Sequence, residues 1–507
     1  IANVALPHIA GGLGATQEEA TWVLTAYLVA NAIVLPAGAY MTGFIGRKKF
    51  YMICVGLFGL SSALCGLAPT LPLLVFCRVL QGIGGGGLAP SEQAILADTF
   101  PPEKRGQAFA MYGLAVVCAP AIGPTLGGYI TDNFNWRWIF FLNVPICLLS
   151  LYLTSRIVED PPWVEEQVKE AKKGGIKLDT LGFGLLALTF GSLEYVLDKG
   201  QESDWFSSPM ITFFAIAMVV AFVMLIWWEM KQLREGNRPI LNLTLFKRRQ
   251  FAISFILMFV LGFALYGTTI LIPQFVQTLL GYTAELAGKV LSPAGFMMMA
   301  MMPIVGFLSG KVDARKLIAY GFIMLSASLL YMTNLNLQLS YGELVWMRIF
   351  QASGLAFLFI PINMISYVGA KQSESNDISG LTNLARNIGG SCGTAFLATM
   401  LVRFTAGHET NMVRNLQTGN QGFVARVTAY AGALRSGTGA GVPGGPFGGA
   451  SHGAIHNAQA LIYNEMHRQA ATLAYVDIIR DLSVFCACMI PLLFLIPRPP
   501  KHVEMGH

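Results

Sequence analysis

Charge is what this chain has least of. Only 12% of its 507 residues are Asp, Glu, Lys or Arg, about half the share of a soluble globular domain. Meanwhile 54% are hydrophobic, and the mean hydropathy is +0.56. A water-soluble enzyme is excluded, and a polytopic membrane protein remains. Chemistry-bearing motifs are missing too. The sequence has no Walker A loop, no triad signature and no zincin helix, so neither ATP-driven pumping nor hydrolysis is supported. Its eight cysteines (Cys54, Cys65, Cys77, Cys118, Cys147, Cys392, Cys486, Cys488) all fall in apolar runs, where they read as small packing residues rather than a disulfide or metal framework. His408, His452, His456 and His467 share one long polar stretch, but without cysteines or carboxylates at tight spacing no metal is expected. No cofactor is expected. The net charge of +6 has to be read loop by loop and does not suggest nucleic acid. No initiator methionine is present, and Ile1 to Leu6 read as the latter half of a span, with residues upstream expected.

Apolar runs bounded by Gly, Pro or charge predict spans at 20–43, 50–68, 71–97, 106–130, 138–155, 180–197, 209–228, 251–272, 284–309, 317–336, 343–367, 378–404 and 473–496. With the truncated first helix this makes fourteen. The basic clusters Arg47-Lys48-Lys49, Lys104-Arg105, Lys169 to Lys177, Lys247-Arg248-Arg249 and Arg315-Lys316 fall on one side of the plan, which is therefore cytoplasmic, as are both termini. Arg78-Val-Leu-Gln81 in the fourth span recurs as Arg348-Ile-Phe-Gln351 in the twelfth, and the turn Gly46-Arg47-Lys48-Lys49 has a degenerate echo in Gly310 to Lys316. The repeat places eight spans between equivalent positions, so the chain reads as six spans, an inserted pair and six more. Duplicated halves imply a transporter with a midplane cavity.

The predicted parts are an N-terminal six-helix bundle (1–156), a cytoplasmic linker (157–178), an inserted helix pair (179–230), a second linker (231–250), a C-terminal six-helix bundle (251–497) and a cytoplasmic tail (498–507). The last bundle includes a long external loop at 405–472, with a breaker cluster from Gly437 to Gly453. Its flanks, Ala425 to Leu434 and Ala454 to Tyr475, are able to continue as helices. A loop of that length is either functional or disordered.

Several polar residues lie inside apolar spans. Arg78 sits seven residues below the external end of its helix, roughly 10 Å deep at 1.5 Å per residue. A guanidinium there either faces a partner or a wet cavity, or is a structural group bonded to backbone carbonyls; Gln81 shares its face. Arg386, among Asn383, Asn387, Gly389, Gly390 and Gly393, suits either a hydrated interior or close helix packing. Arg348 lies nearer a boundary, where snorkelling is the stronger reading. Glu194 is a candidate proton carrier because burial disfavours a charged carboxylate, although it belongs to the inserted pair, outside both halves. Glu92 and Asp98 are expected to serve a cytoplasmic salt-bridge network. Ala119, Pro120, Gly123, Pro124, Gly127 and Gly128 mark the fifth span as either a kinked gating helix or a static packing surface. The run Met297 to Met302 offers a soft wall for apolar ligands, or simply core or lipid-facing filler. Tyr27, Asn31, Gln274, Gln277, Asn363 and Asn387 are candidate substrate-pocket residues.

These residues resemble the fourteen-span drug:proton antiporters of the major facilitator superfamily, and the likeness runs over essentially the whole chain. Asn3 to Pro7 is similar to the end of the family's first-span motif, Trp22, Tyr27 and Pro36 to its second span, and Arg78 to Gly84 to its fourth-span motif. Ala119 to Gly128 resembles the antiporter motif, and Asn383 to Gly390 the thirteenth-span pattern. Two departures stand out. In the loop after the second span, Gly43 and Phe44 stand where the family has an acid and a base, although Gly46, Arg47 and Lys48 are kept; the cytoplasmic charge lock must be built differently or be weaker. The first-span acid the resemblance implies falls just upstream of Ile1.

What the resemblance implies is a multi-pass protein of the bacterial inner membrane that exports hydrophobic or amphipathic toxic compounds by alternating access. Inward proton flow would drive it, with Arg78 involved in coupling. A periplasmic adaptor protein and an outer-membrane channel are the implied partners, with 405–472 as the docking element. Exporting one metabolite or fatty acid, or sensing without transport, are the alternatives.

Overall fold

The structure is a computed structural model that describes residues 2–101, 104–173, 179–237, 239–414, 416, 420–433 and 452–496. Among them there are helices and turns and no strand. The helices are α1 (Ala2–Leu13), α2 (Gln17–Ile45), α3 (Arg47–Leu67), α4 (Leu71–Gly86), α5 (Leu88–Thr99), α6 (Arg105–Asn133), α7 (Trp138–Phe141), α8 (Asn143–Ile157), α9 (Pro162–Lys173), α10 (Thr180–Lys199), α11 (Pro209–Arg234), α12 (Arg249–Thr278), α13 (Ala284–Ser309), α14 (Ala314–Met332), α15 (Tyr341–Ser366), α16 (Ser375–Val413), α17 (Gln421–Ala433) and α18 (His452–Ala487). Ten segments among the described residues are long and apolar enough to cross a bilayer. They lie on α2, α3, α4 with α5, α7 with α8, α10, α11, α12, α13, α15 and α18. The expectation of fourteen spans is thus met by ten on length and apolarity among the described residues; α1, α14 and α16 fall outside that criterion, and part of α6 lies outside the described side chains.

Local sequence sets the helix ends. Thr16 caps α2 in a reciprocal box: its hydroxyl accepts from the Glu19 N–H at 3.1 Å, and the Glu19 carboxylate accepts from the Thr16 N–H at 2.8 Å. Ser340 and Glu343 repeat the device at α15. The predicted fourth span is two helices, broken at Gly87. Glycines before the break let α4 lie against two neighbours. A Cβ on Gly84 would stand 2.7 Å from the Phe58 nitrogen and 2.8 Å from the Cys54 carbonyl of α3, both backbone atoms that cannot give way.

The linker and the long loop both contain helices. The linker at 157–178 contains α9, whose Val164 is buried and which packs on α2; residues 174–178 lie outside the described set. The long external loop is mostly helix. α16 has 39 residues and α18 has 36, which at 1.5 Å per residue is well beyond a hydrocarbon core of about 30 Å. α17 packs on α18 through Val427, Ala431, Ala458 and Ile462, while His408 bonds Asp477 at 2.8 Å and His467 pairs with Glu409. The breaker cluster, apart from the backbone of His452 and Gly453, and the tail at 498–507 lie outside the described residues.

The two predicted bundles meet where α6 packs on α13 and where α2 and α5 pack on α16. The inserted α10 runs beside α2 and also touches α16. Seven of the eight cysteines are described, and all seven are free thiols.

Candidate functional site

Two features divide the interface between the bundles: a polar seam on the side assigned as cytoplasmic, and a cavity above it. At the cytoplasmic end Arg47, buried to 1% exposure, is ion-paired with Asp98, which also accepts from the Ser375 hydroxyl at 2.7 Å. Asn376 Nδ2 donates to Thr42 Oγ1 at 2.9 Å, joining α16 to α2. Arg47 also lies 4.6 Å from the centre of the Trp163 ring on α9, while the Lys48 N–H and Nζ donate to Asp160 and to the Ser155 carbonyl, both at 2.9 Å. Gly46 is required here, because its φ is +86° and a Cβ would sit 2.6 Å from the Asp160 carboxylate. The cytoplasmic lock, which lacks the usual acid and base at Gly43 and Phe44, is therefore built from Arg47, Asp98 and Asp160. Asp98 does serve it as expected, whereas Glu92 accepts from the Tyr51 hydroxyl at 3.2 Å instead.

A second polar layer crosses the seam closer to the cavity. Asn383 Nδ2 donates to Gln93 Oε1 at 2.7 Å, Arg386 Nη2 donates to Asn383 Oδ1 at 2.6 Å, and the guanidinium lies 5.6 Å from the Phe359 ring centre. Above it Asn387 Nδ2 reaches Asn31 Oδ1 at 3.4 Å.

The cavity itself has a volume of about 540 Å³. Its wall is drawn from the external halves of α2 (Tyr27, Asn31), α4 (Arg78), α10 (Glu194, Asp198), α12 (Tyr266) and α16 (Asn387, Ser391). The helix ends on the side assigned as cytoplasmic are joined, and the open space lies in the opposite half. Arg78 combines both roles open to it in the sequence. Its Nε donates to the Val23 carbonyl at 2.8 Å, its Nη1 donates to Gln81 Oε1 at 2.7 Å, and the guanidinium lies 4.3 Å from the centre of the Tyr27 ring while facing the cavity. Each interaction fixes the cation in place, and stacking on Tyr27 is worth about 0.5–2 kcal/mol.

Glu194, although carried by the inserted pair, lies on the cavity wall. The helix that carries it is fastened to α2: Thr25 Oγ1 donates to Asp198, Lys199 Nζ donates to Thr21 Oγ1 at 2.6 Å, and Trp22 stacks with Tyr195 at 5.9 Å. Glu194 then faces the cavity and accepts from the Ser391 hydroxyl of α16 at 2.7 Å. Asp198, one turn from Glu194, was legible from the i,i+4 spacing; Tyr266 and Ser391 carried no sequence signal.

Other predicted residues fall elsewhere. Gln274 and Gln277 are exposed near the external end of α12 and are not on the cavity wall. Asn363 is fully buried, its Nδ2 bonded to the Phe359 carbonyl at 2.8 Å. Arg386 is on the seam rather than the wall. Gly389, Gly390 and Gly393 do pack closely: a Cβ on Gly393 would lie 2.9 Å from the Phe263 Cα of α12, and the other two would meet the Phe259 carbonyl and the Tyr266 ring. Ala119, Pro120, Gly123, Pro124, Gly127 and Gly128 all lie on α6; Gly123 and Gly127 are buried, and the side chains of Ala119, Pro120 and Pro124 are outside the described residues. Met298 and Met302 are buried in the core of the C-terminal helices.

Residues 1–394 match the Major Facilitator Superfamily. The chain is 34% identical over 421 residues to the multidrug export protein EmrB of Escherichia coli (strain K12), covering 83% of this chain and 80% of that one. It is 33% identical over 509 residues to the fatty acid resistance protein FarB of Neisseria gonorrhoeae, covering 100% and 94%. Among solved structures, a double-tryptophan mutant of XylE superposes with a TM-score of 0.59 at 14% identity, covering 98% of this chain and 92% of that one. Fold, helix content and sequence agree: this chain is a multi-pass membrane transporter belonging to the major facilitator superfamily.

Proposed function

We propose that this chain is a secondary active exporter of the bacterial inner membrane that expels hydrophobic or amphipathic toxic compounds by alternating access, in exchange for protons moving inward. The observation that carries the reading is the cavity wall on which Arg78, Glu194 and Asp198 stand together. Exchange requires that protonation change either drug affinity or the balance between inward- and outward-facing states. Glu194 suits this role because the Ser391 hydroxyl is able to donate to its carboxylate and accept from its protonated form. Arg78, held by Val23 and Gln81, supplies a fixed positive field across the same space. H⁺ is the coupling ion, and no cofactor takes part.

The likeness to EmrB favours drugs as cargo; the partners of this reading are a periplasmic adaptor and an outer-membrane channel, docked on α17 and α18. A second reading, export of fatty acids, is favoured by the likeness to FarB over the whole chain. Purified protein in vesicles with an imposed pH gradient tests the proposal. Drug movement that follows the gradient, and is abolished by Arg78→Ala while insertion persists, supports exchange. Binding without movement would instead support a sensor, and full activity in Arg78→Ala would remove this residue from the mechanism.

A further inference from the structure

The internal repeat predicts that Arg348 should be held as Arg78 is held, and it is not. Both arginines sit seven residues into their helices and both bond a glutamine three residues on, Arg348 through Nη1 to Gln351 Oε1. Arg78, however, also gives its Nε to a backbone carbonyl and stacks on Tyr27. Arg348 Nε has no partner, and neither has Gln351 Nε2, although the two residues are only 7% and 1% exposed. Gln351 is the one polar partner of Arg348 among the described residues, and no carboxylate pairs with it. Snorkelling does not account for this, because the guanidinium is buried. A charge in such a place normally has a counter-charge or a wet cavity.

Arg348 and Gln351 face a separate cavity of about 110 Å³ enclosed by α6, α12, α13 and α15, whose remaining walls are largely apolar, with Leu291, Met298 and Leu355 among them. Tyr266 lines both this cavity and the large one. The two spaces are therefore neighbours across one ring.

We propose that Arg348 and Gln351 form an anion-recognition point for the carboxylate of an amphiphilic acid. The unpaired donors take the headgroup, the apolar walls take the first part of the chain, and the remainder passes Tyr266 into the large cavity. A guanidinium with an amide N–H beside it offers donors to a carboxylate and repels an ammonium group. As a statement about cargo it rests on the export reading; as a binding site it stands alone.

The test uses the full chain in phosphatidylcholine nanodiscs, with empty nanodiscs as the blank. Equilibrium binding is measured for three probes of one chain length: laurate, methyl laurate and dodecyltrimethylammonium. Laurate is expected to bind at least about tenfold more tightly than its methyl ester. Arg348→Gln should erase that preference and Arg348→Lys should keep part of it. Equal binding of acid and ester by the unmodified protein overturns the proposal, as does a preference that survives Arg348→Gln but is lost in Arg78→Gln. Should Arg348→Gln fail to insert, Ala352→Leu fills the same cavity from α15, keeps the guanidinium and should also lose the preference. If laurate selectivity is intact but no probe moves down a pH gradient, export fails and the site stands; if export proceeds without selectivity, the reverse holds.

Discussion

At the scale of single residues, buried charges are held by what each one has beside it. Arg47 and Asp98 are both nearly inaccessible and neutralise each other at the cytoplasmic end of the seam. Removing one member leaves the other buried and uncompensated, which typically costs about 3–5 kcal/mol. Asp98→Asn should therefore lower the thermal unfolding midpoint of the purified protein markedly, whereas Glu285→Gln, at an exposed residue paired with Lys289 on its own helix, should leave it almost unmoved. Equal midpoints for the two variants would show that the Arg47 pair does not hold this end closed. The arginines also mark what was legible at this scale. Depth and the recurrence of Arg-x-x-Gln picked out Arg78 and Arg348 as a pair. Which of the two is fully satisfied depends on the position of the Val23 carbonyl on another helix, which no spacing within α4 encodes.

At the scale of elements, composition located the helices well and their faces poorly. The fourth-span glycines and the Asn383 to Gly390 pattern were readable because close helix packing admits so few residue types. Gln274 and Gln277, polar in an apolar run, looked like pocket residues, but periodicity cannot say which face of α12 turns toward a cavity, and theirs does not. In the long loop the flanks Ala425 to Leu434 and Ala454 to Tyr475 read as able to be helical, and α17 and α18 occupy them; α16 runs past the predicted span end at 404 to Val413 because it continues a helix already nucleated. A further element-level clamp joins α12 to the turn before α16, where Arg248 makes two bonds to Glu374 at 2.6 and 2.8 Å. Partial burial works against the Glu374 charge, but the hydrogen bonds from Arg248 and from the Lys371 N–H outweigh it and hold the carboxyl below its ordinary range. A lowered value means that the stability it contributes is complete above the unfolded carboxylate range, near 4.3, and is lost only as pH falls through the lower folded value. Glu374→Gln should accordingly leave the shape of the transport–pH profile unchanged between about pH 6 and 8. A profile displaced within that window would mean that this clamp, rather than the cavity carboxyls, carries the pH dependence.

For the whole molecule, the repeat foretold two halves around a cavity, and the packing of α2 and α5 on α16 and of α6 on α13 supplies the seam. What the repeat could not foretell is that the inserted α10 forms part of the wall, because an insertion has no counterpart from which to infer its place. Its attachment comes from Thr21, Trp22 and Thr25 on one side and Ser391 on the other. Alternating access requires the cytoplasmic joints to part. Thr42→Cys combined with Asn376→Cys, at a contact now 2.9 Å between side chains, should form a cross-link under oxidation that stops transport until reductant is added. Transport that continues through the cross-link would rule out opening at this seam. The most direct test of the central claim is gradient-driven drug movement in vesicles containing Glu194→Gln. The account predicts that this variant still binds drug but no longer moves it in response to an imposed pH difference. Movement as steep with pH difference as in the unmodified protein would contradict it.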